Sequence, residues 1–105
     1  MSRHKFTGIL QELIERAEAG EVIDVDFIMS HLNANTTFEV TRYVDFALSL
    51  VDNQQGISRI EYYLFNGSLI QRNYSSLFFN RRYDYDIVLK AFSQGLIDET
   101  QAFAR

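Results

Sequence analysis

The chain contains no cysteine, no proline and no tryptophan among its 105 residues. Without cysteine it can form neither a disulfide framework nor a thiolate metal site. Without proline, every residue except the first keeps its backbone amide donor, and no pyrrolidine ring interrupts a helix. Helix ends must then fall at glycine or asparagine, and the sequence offers Gly20, Asn33, Gly56, Gly67 and Gly95 for that purpose.

Long hydrophobic runs are also missing. No apolar segment approaches the roughly 18 residues that a membrane-spanning helix needs. The N-terminal charges are not followed by the apolar region of a secretory signal, because Glu12, Glu15 and Arg16 interrupt it. We therefore expect a cytoplasmic protein that does not bind a membrane.

Residues for catalysis and metal binding are few. The only histidines are His4 and His31, and no second ligand stands at helical spacing from His31. The sequence has no glycine-rich phosphate loop and no G-x-S-x-G turn that would expose a nucleophilic serine. We expect no catalytic residues, no cofactor and no metal, and thus a protein that is not an enzyme.

The composition is that of a folded domain. Hydrophobic residues make up 47% and charged residues 23% of the chain, values that disordered proteins do not reach together. Its length predicts one domain over residues 1–105. The net charge of −4 argues against a protein whose main partner is nucleic acid. The acidic excess lies in residues 1–56, which hold four Lys or Arg against nine Asp or Glu.

Apolar residues recur at helical spacing along most of the chain, and clean alternation is absent, which predicts an all-α protein of about six to seven short helices. The first helix carries a stripe that begins at Phe6. Four capping-box patterns mark further starts, at Thr36, Ser58, Ser68 and Asp98, each with Glu or Gln three residues later. Asp24 and Asp84 are predicted as the caps of two other helices. The seven predicted helices thus begin at or next to Phe6, Asp24, Thr36, Ser58, Ser68, Asp84 and Asp98.

The third helix, from Thr36 to Val51, is apolar over most of its circumference. Val40, Val44 and Ala47 form one face, and Phe38 and Phe46 widen it. A helix that is apolar nearly all round is usually buried on several sides. The sequence therefore predicts that this helix is central.

The ten residues 70–79, IQRNYSSLFF, are similar in style to the inner helices of HEAT-type repeats, in which an arginine precedes small and then apolar residues. The resemblance implies stacked helical hairpins. No repeat occurs at the roughly 40-residue period of such arrays, so a compact helical bundle is the alternative architecture.

Residues 57–83 interleave aromatic rings with arginines and form the one candidate site. Arginine and aromatic side chains dominate the energetics of protein interfaces because they combine large rigid area with planar donors. We predict a protein-interaction face on the helical hairpin that this segment forms, with small serines between its rings. Its residues are Tyr62, Arg72, Phe79, Arg82 and Tyr83.

Three other interpretations of this face stay open. The same arginines and rings could bind single-stranded nucleic acid, in which case binding would weaken steeply with salt. The face could pair with a second copy in a homodimer. It could also be core, since aromatic stripes on helices are usually buried and arginines often pair locally. The partner is thus predicted to be another protein or the chain itself.

Overall fold

A computed structural model describes residues 8–104, and within that range the chain forms seven α-helices and no strand. This confirms the all-α class and the number of short helices. Phe6 lies outside the described residues. None of the described helices is long and apolar enough to cross a membrane. The helices are α1 (Gly8–Ala19), α2 (Val22–Met29), α3 (Phe38–Leu48), α4 (Gln54–Asn66), α5 (Leu69–Arg81), α6 (Tyr85–Ser93) and α7 (Glu99–Ala102).

The chain divides into two units, Met1–Arg59 and Ile60–Arg105, with the boundary inside α4. In the first unit α1, α2 and α3 pack on one another, and in the second α5, α6 and α7 do so. One domain over residues 1–105 stays a prediction. Buried apolar residues of the first unit include Leu13, Val25, Ile28, Met29, Val44 and Leu48, and those of the second include Phe78, Phe79, Val88, Ala91, Ile97 and Ala102.

The caps of α5 and α7 are where the sequence placed them. The Ser68 hydroxyl accepts a hydrogen bond from the Gln71 amide at 3.4 Å, and the Gln71 side chain accepts one from the Ser68 amide at 2.9 Å. The Asp98 carboxylate accepts from the Gln101 amide at 2.8 Å. Asp84 stands at the N-cap position of α6, but its side chain makes no capping hydrogen bond. The first two caps satisfy helix amides that would otherwise lack partners.

The cap of α3 is one residue later than predicted. Thr37, not Thr36, accepts the hydrogen bond from the Val40 amide, at 3.2 Å. The Thr36 hydroxyl is already used in the preceding turn, where it donates to the His31 carbonyl and accepts from the Asn33 amide at 2.7 Å. Because those bonds hold Thr36 in the turn, the helix begins after Thr37.

The sequence predicted Asp24 as the cap of α2, but Asp24 lies one turn inside this helix. Glu21 is the N-cap residue, and its amide donates to Asp24 at 3.0 Å. Arg16 on α1 donates from Nε to the other carboxylate oxygen of Asp24 at 2.6 Å. This hydrogen bond lowers the pKa of Asp24 below its ordinary value, so the buried carboxyl stays ionised and ties α1 to α2.

The fourth helix begins four residues before the Ser58 start that the sequence predicted. Its first amides follow Asn53, whose side-chain oxygen accepts from the Gln55 amide at 2.9 Å. Gly56, predicted to end a helix, is therefore inside α4. A Cβ atom at Gly56 would stand 2.2 Å from the carbonyl oxygen of Gly20. Gly56 is thus required by the close approach of another backbone segment.

Candidate interaction surface

The residues predicted to form a face on the α4–α5 hairpin differ in exposure. Phe79 is only 3% exposed, and its ring packs edge-on against Phe78 with 5.0 Å between centroids. Ser75 and Ser76, the small serines predicted between the rings of this face, are fully buried. The burial alternative is therefore correct for Phe79, which is not available as a surface contact.

Arg72 is part-buried and bonded to main-chain carbonyls. Its Nε donates to the carbonyl of Leu96 at 2.6 Å, and its Nη1 donates to that of Gly67 at 2.9 Å. Charged donors make stronger hydrogen bonds than neutral ones, so this side chain joins the start of α5 to the segment after α6. Its observed role is structural.

Tyr62, Arg82 and Tyr83 are the members of the predicted face that are exposed. The Tyr62 ring packs edge-on against Tyr63, with 5.5 Å between centroids. Arg82 lies 5.4 Å from the centroid of the Phe78 ring, and its Nε is 3.6 Å from an Asp84 oxygen. A role for these three residues in partner binding stays a prediction.

Tyr83 has an unusual backbone conformation, with φ at +67°. It ends α5 in a Schellman motif, because its amide donates to the Asn80 carbonyl at 3.0 Å and the Asp84 amide donates to the Phe79 carbonyl at 2.9 Å. Gly95 occupies the corresponding position after α6, with φ at +76°. A bulky residue at this position is strained, whereas glycine is not.

Replacing Tyr83 with glycine is therefore expected to stabilise the protein by about 1 kcal/mol, since a left-handed conformation costs an ordinary residue about that much. Equilibrium urea unfolding, followed by circular dichroism, measures the change. The matched control is Tyr62→Gly, in the interior of α4, which should lose about 0.5 kcal/mol through helix propensity. Equal losses in both variants would contradict the strain at Tyr83.

A different surface with the predicted chemistry lies on α3. Phe38 is 77% exposed and Phe46 is 45% exposed, and Arg42 stands between them at helical spacing. The Arg42 guanidinium carbon is 5.9 Å from the centroid of the Phe38 ring, within cation–π range. We call Phe38, Arg42 and Phe46 the α3 face. Exposed aromatic residues in a row are more typical of a binding surface than of a solvated helix side.

A cleft of about 710 Å³ runs along the α3 face. Among the described residues, Leu10 of α1 and Glu39 and Tyr43 of α3 also line it. The Tyr43 hydroxyl donates to the Glu39 carboxylate at 2.5 Å. That bond raises the pKa of the Tyr43 phenol above its ordinary value, because losing the proton would place two negative charges together.

The prediction that α3 is central is wrong, and the same observation explains why the sequence missed this face. The helix buries Thr41, Val44, Ala47 and Leu48 on one side only. Phe38 and Phe46, interpreted as extra core, point away from that side. The sequence did hold a sign of this: Arg42 follows Phe38 and precedes Phe46 by one turn each, which a buried apolar arc would exclude.

Across residues 8–104, no group of three or more His, Asp or Glu side chains is placed to hold a metal ion. No protein-family model matches the chain, and no curated protein and no solved structure is found to be similar to it. Function can therefore be inferred only from the geometry of this surface.

Proposed function

We propose that the protein is a non-enzymatic protein–protein interaction module that binds its partner through the α3 face. The observation that carries this proposal is the exposure of Phe38 and Phe46 beside a cleft of about 710 Å³. Burying an exposed Phe ring against a partner gains roughly 1.5–3 kcal/mol, and Arg42 supplies a planar donor between the rings. Rings and an arginine together are the usual anchors of protein interfaces.

The lining of the cleft supports binding rather than catalysis. Of the described residues that line it, Glu39 and Tyr43 form a hydrogen-bonded pair of titratable groups. The raised pKa keeps the Tyr43 phenol protonated, whereas an activated nucleophile would need a lowered one. The pair therefore orders two side chains at the rim of the cleft.

Several arginines make contacts that favour a protein partner over nucleic acid. Arg16 is bonded to Asp24, and Arg59 is bonded through two nitrogens to Asp26, at 2.7 and 3.3 Å. Arg72 donates to two carbonyls. Guanidinium groups held in this way cannot also form the row of phosphate contacts that nucleic-acid binding depends on.

Photo-crosslinking tests the proposal and compares the two candidate surfaces. Benzoylphenylalanine is placed at position 46, on the α3 face, or at position 62, on the face that the sequence predicted. The native residues, Phe46 and Tyr62, are 45% and 46% exposed, so the two probes are equally accessible to solvent. After irradiation in the producing cells, we expect a covalent protein adduct from position 46 and little from position 62.

Phe38→Ser should abolish binding while changing the free energy of unfolding by no more than about 0.5 kcal/mol, because this ring is 77% exposed. An adduct from position 62 alone would contradict the α3 face. An absence of adducts from both positions would contradict an interaction module.

A further inference from the structure

We infer that the partner of the α3 face is the α3 face of a second copy of this chain, with the two helices antiparallel about a twofold axis near Arg42. This inference rests on the proposed function and names its partner. It would make the protein a homodimer in which each copy presents the same surface to the other.

The order of residues on the α3 face is the same in both directions along the helix. Phe38 stands four residues before Arg42, and Phe46 stands four residues after it. The two rings are thus about 12 Å apart along the axis, with Arg42 midway. In an antiparallel pair centred on Arg42, each Phe38 meets the other copy's Phe46, so both ring pairs form at once. A twofold interface requires this self-complementarity, and an unrelated partner does not.

The charges beside the rings are complementary in the same register. Glu39 and Asp45 each lie about one helical turn from Arg42, one before it and one after it, so the surface carries one positive charge between two negative ones. Across the axis, each Arg42 comes within about one turn of the other copy's Glu39. The two guanidinium groups that meet near the axis are then each flanked by the Glu39 and Asp45 carboxylates of the other copy, which offset the repulsion between the two arginines.

This balance also argues against a strongly charged peptide as the occupant. A basic segment would be attracted by Glu39 and Asp45 but repelled by Arg42, and an acidic segment would be attracted by Arg42 but repelled by both carboxylates. The hydrogen bond from Tyr43 further holds the Glu39 carboxylate on the helix surface, where the neighbouring helix would pass. An apolar surface with paired opposite charges fits a copy of itself.

Light scattering after size exclusion tests the inference on the full chain. We expect the wild type to have twice the 12.3 kDa mass of one chain at high concentration and to dissociate on dilution. Arg42→Glu leaves only acidic side chains at positions 39, 42 and 45, whereas Glu39→Arg places basic side chains at positions 39 and 42. Each should weaken self-association by at least about tenfold, because like charges then meet across the axis.

Mixing the two variants separates pairing from misfolding. The negative face of Arg42→Glu matches the positive face of Glu39→Arg, so an equimolar mixture should regain the double mass as a one-to-one heterodimer. Arg82→Glu in the second unit makes the same change in net charge as Arg42→Glu and should leave the dimer intact. If Arg82→Glu dissociates it equally, or if the mixture stays monomeric, the inference is wrong.

The crosslinking described above distinguishes this failure from failure of the proposed function. A wild-type protein that is monomeric at all concentrations, with an adduct from position 46 to a different protein, overturns the second copy but supports the α3 face. Monomeric protein without an adduct overturns both. An adduct of two identical chains supports both.

Discussion

Replacing Gly56 with alanine should destabilise the protein by about 3 kcal/mol or more. The added Cβ would lie 2.2 Å from the Gly20 carbonyl oxygen and 2.8 Å from a methyl carbon of Val51. Helix propensity alone predicts the opposite sign, because alanine is favoured over glycine inside a helix by about 1 kcal/mol. The carbonyl belongs to the backbone and cannot rotate away, so the steric cost exceeds the gain.

Urea unfolding of Gly56→Ala followed by circular dichroism measures this loss. Ser58→Ala is the matched control, since Ser58 is exposed in the same helix and its change should stay within about 0.5 kcal/mol. A Gly56→Ala variant as stable as the wild type would show that α4 does not approach Gly20 this closely.

Replacing Phe79 with alanine should cost about 3–5 kcal/mol, the range measured for buried aromatic residues. The ring is buried and packs against Phe78, so its removal leaves a cavity that the surrounding helices cannot fill. The helical signal should therefore be lost at a lower urea concentration than in the wild type.

Tyr83→Ala provides the comparison for Phe79→Ala. Tyr83 was predicted on the same surface as Phe79, but it is 77% exposed. Both variants replace an aromatic side chain with alanine, so they differ mainly in the burial of the ring. Its loss should change stability by no more than about 0.5 kcal/mol. If instead Phe79→Ala were as stable as the wild type and failed to bind a partner, Phe79 would be a surface contact, as the sequence predicted.

The sequence by itself determined the features that depend on near neighbours in the chain. Helical periodicity established the all-α class. Ser68 and Asp98 were identified as caps because their side chains bond to amides three residues later, and no other part of the molecule is needed for those bonds. The cap of α3 is Thr37 and not the predicted Thr36, because the Thr36 hydroxyl is used in the turn before the helix.

Other features were decided by segments that are distant in sequence. Gly56 looks like a helix end until Gly20 is seen against it, 36 residues earlier in the chain. Arg72 looks like an interface residue until the Leu96 carbonyl is found at its Nε, 24 residues later. Neither contact leaves a mark in the local sequence, because each depends on where another backbone segment passes.

The candidate site also depends partly on local sequence and partly on segments that are distant in sequence. The sequence predicted rings beside arginines on the α4–α5 hairpin, whereas the surface that we propose carries the same chemistry on α3. Periodicity shows which residues share a side of a helix, whereas burial depends on what packs against that side. In the tertiary structure Phe79 is buried. Phe38 is exposed, because α3 buries Val44 and Ala47 on its opposite side.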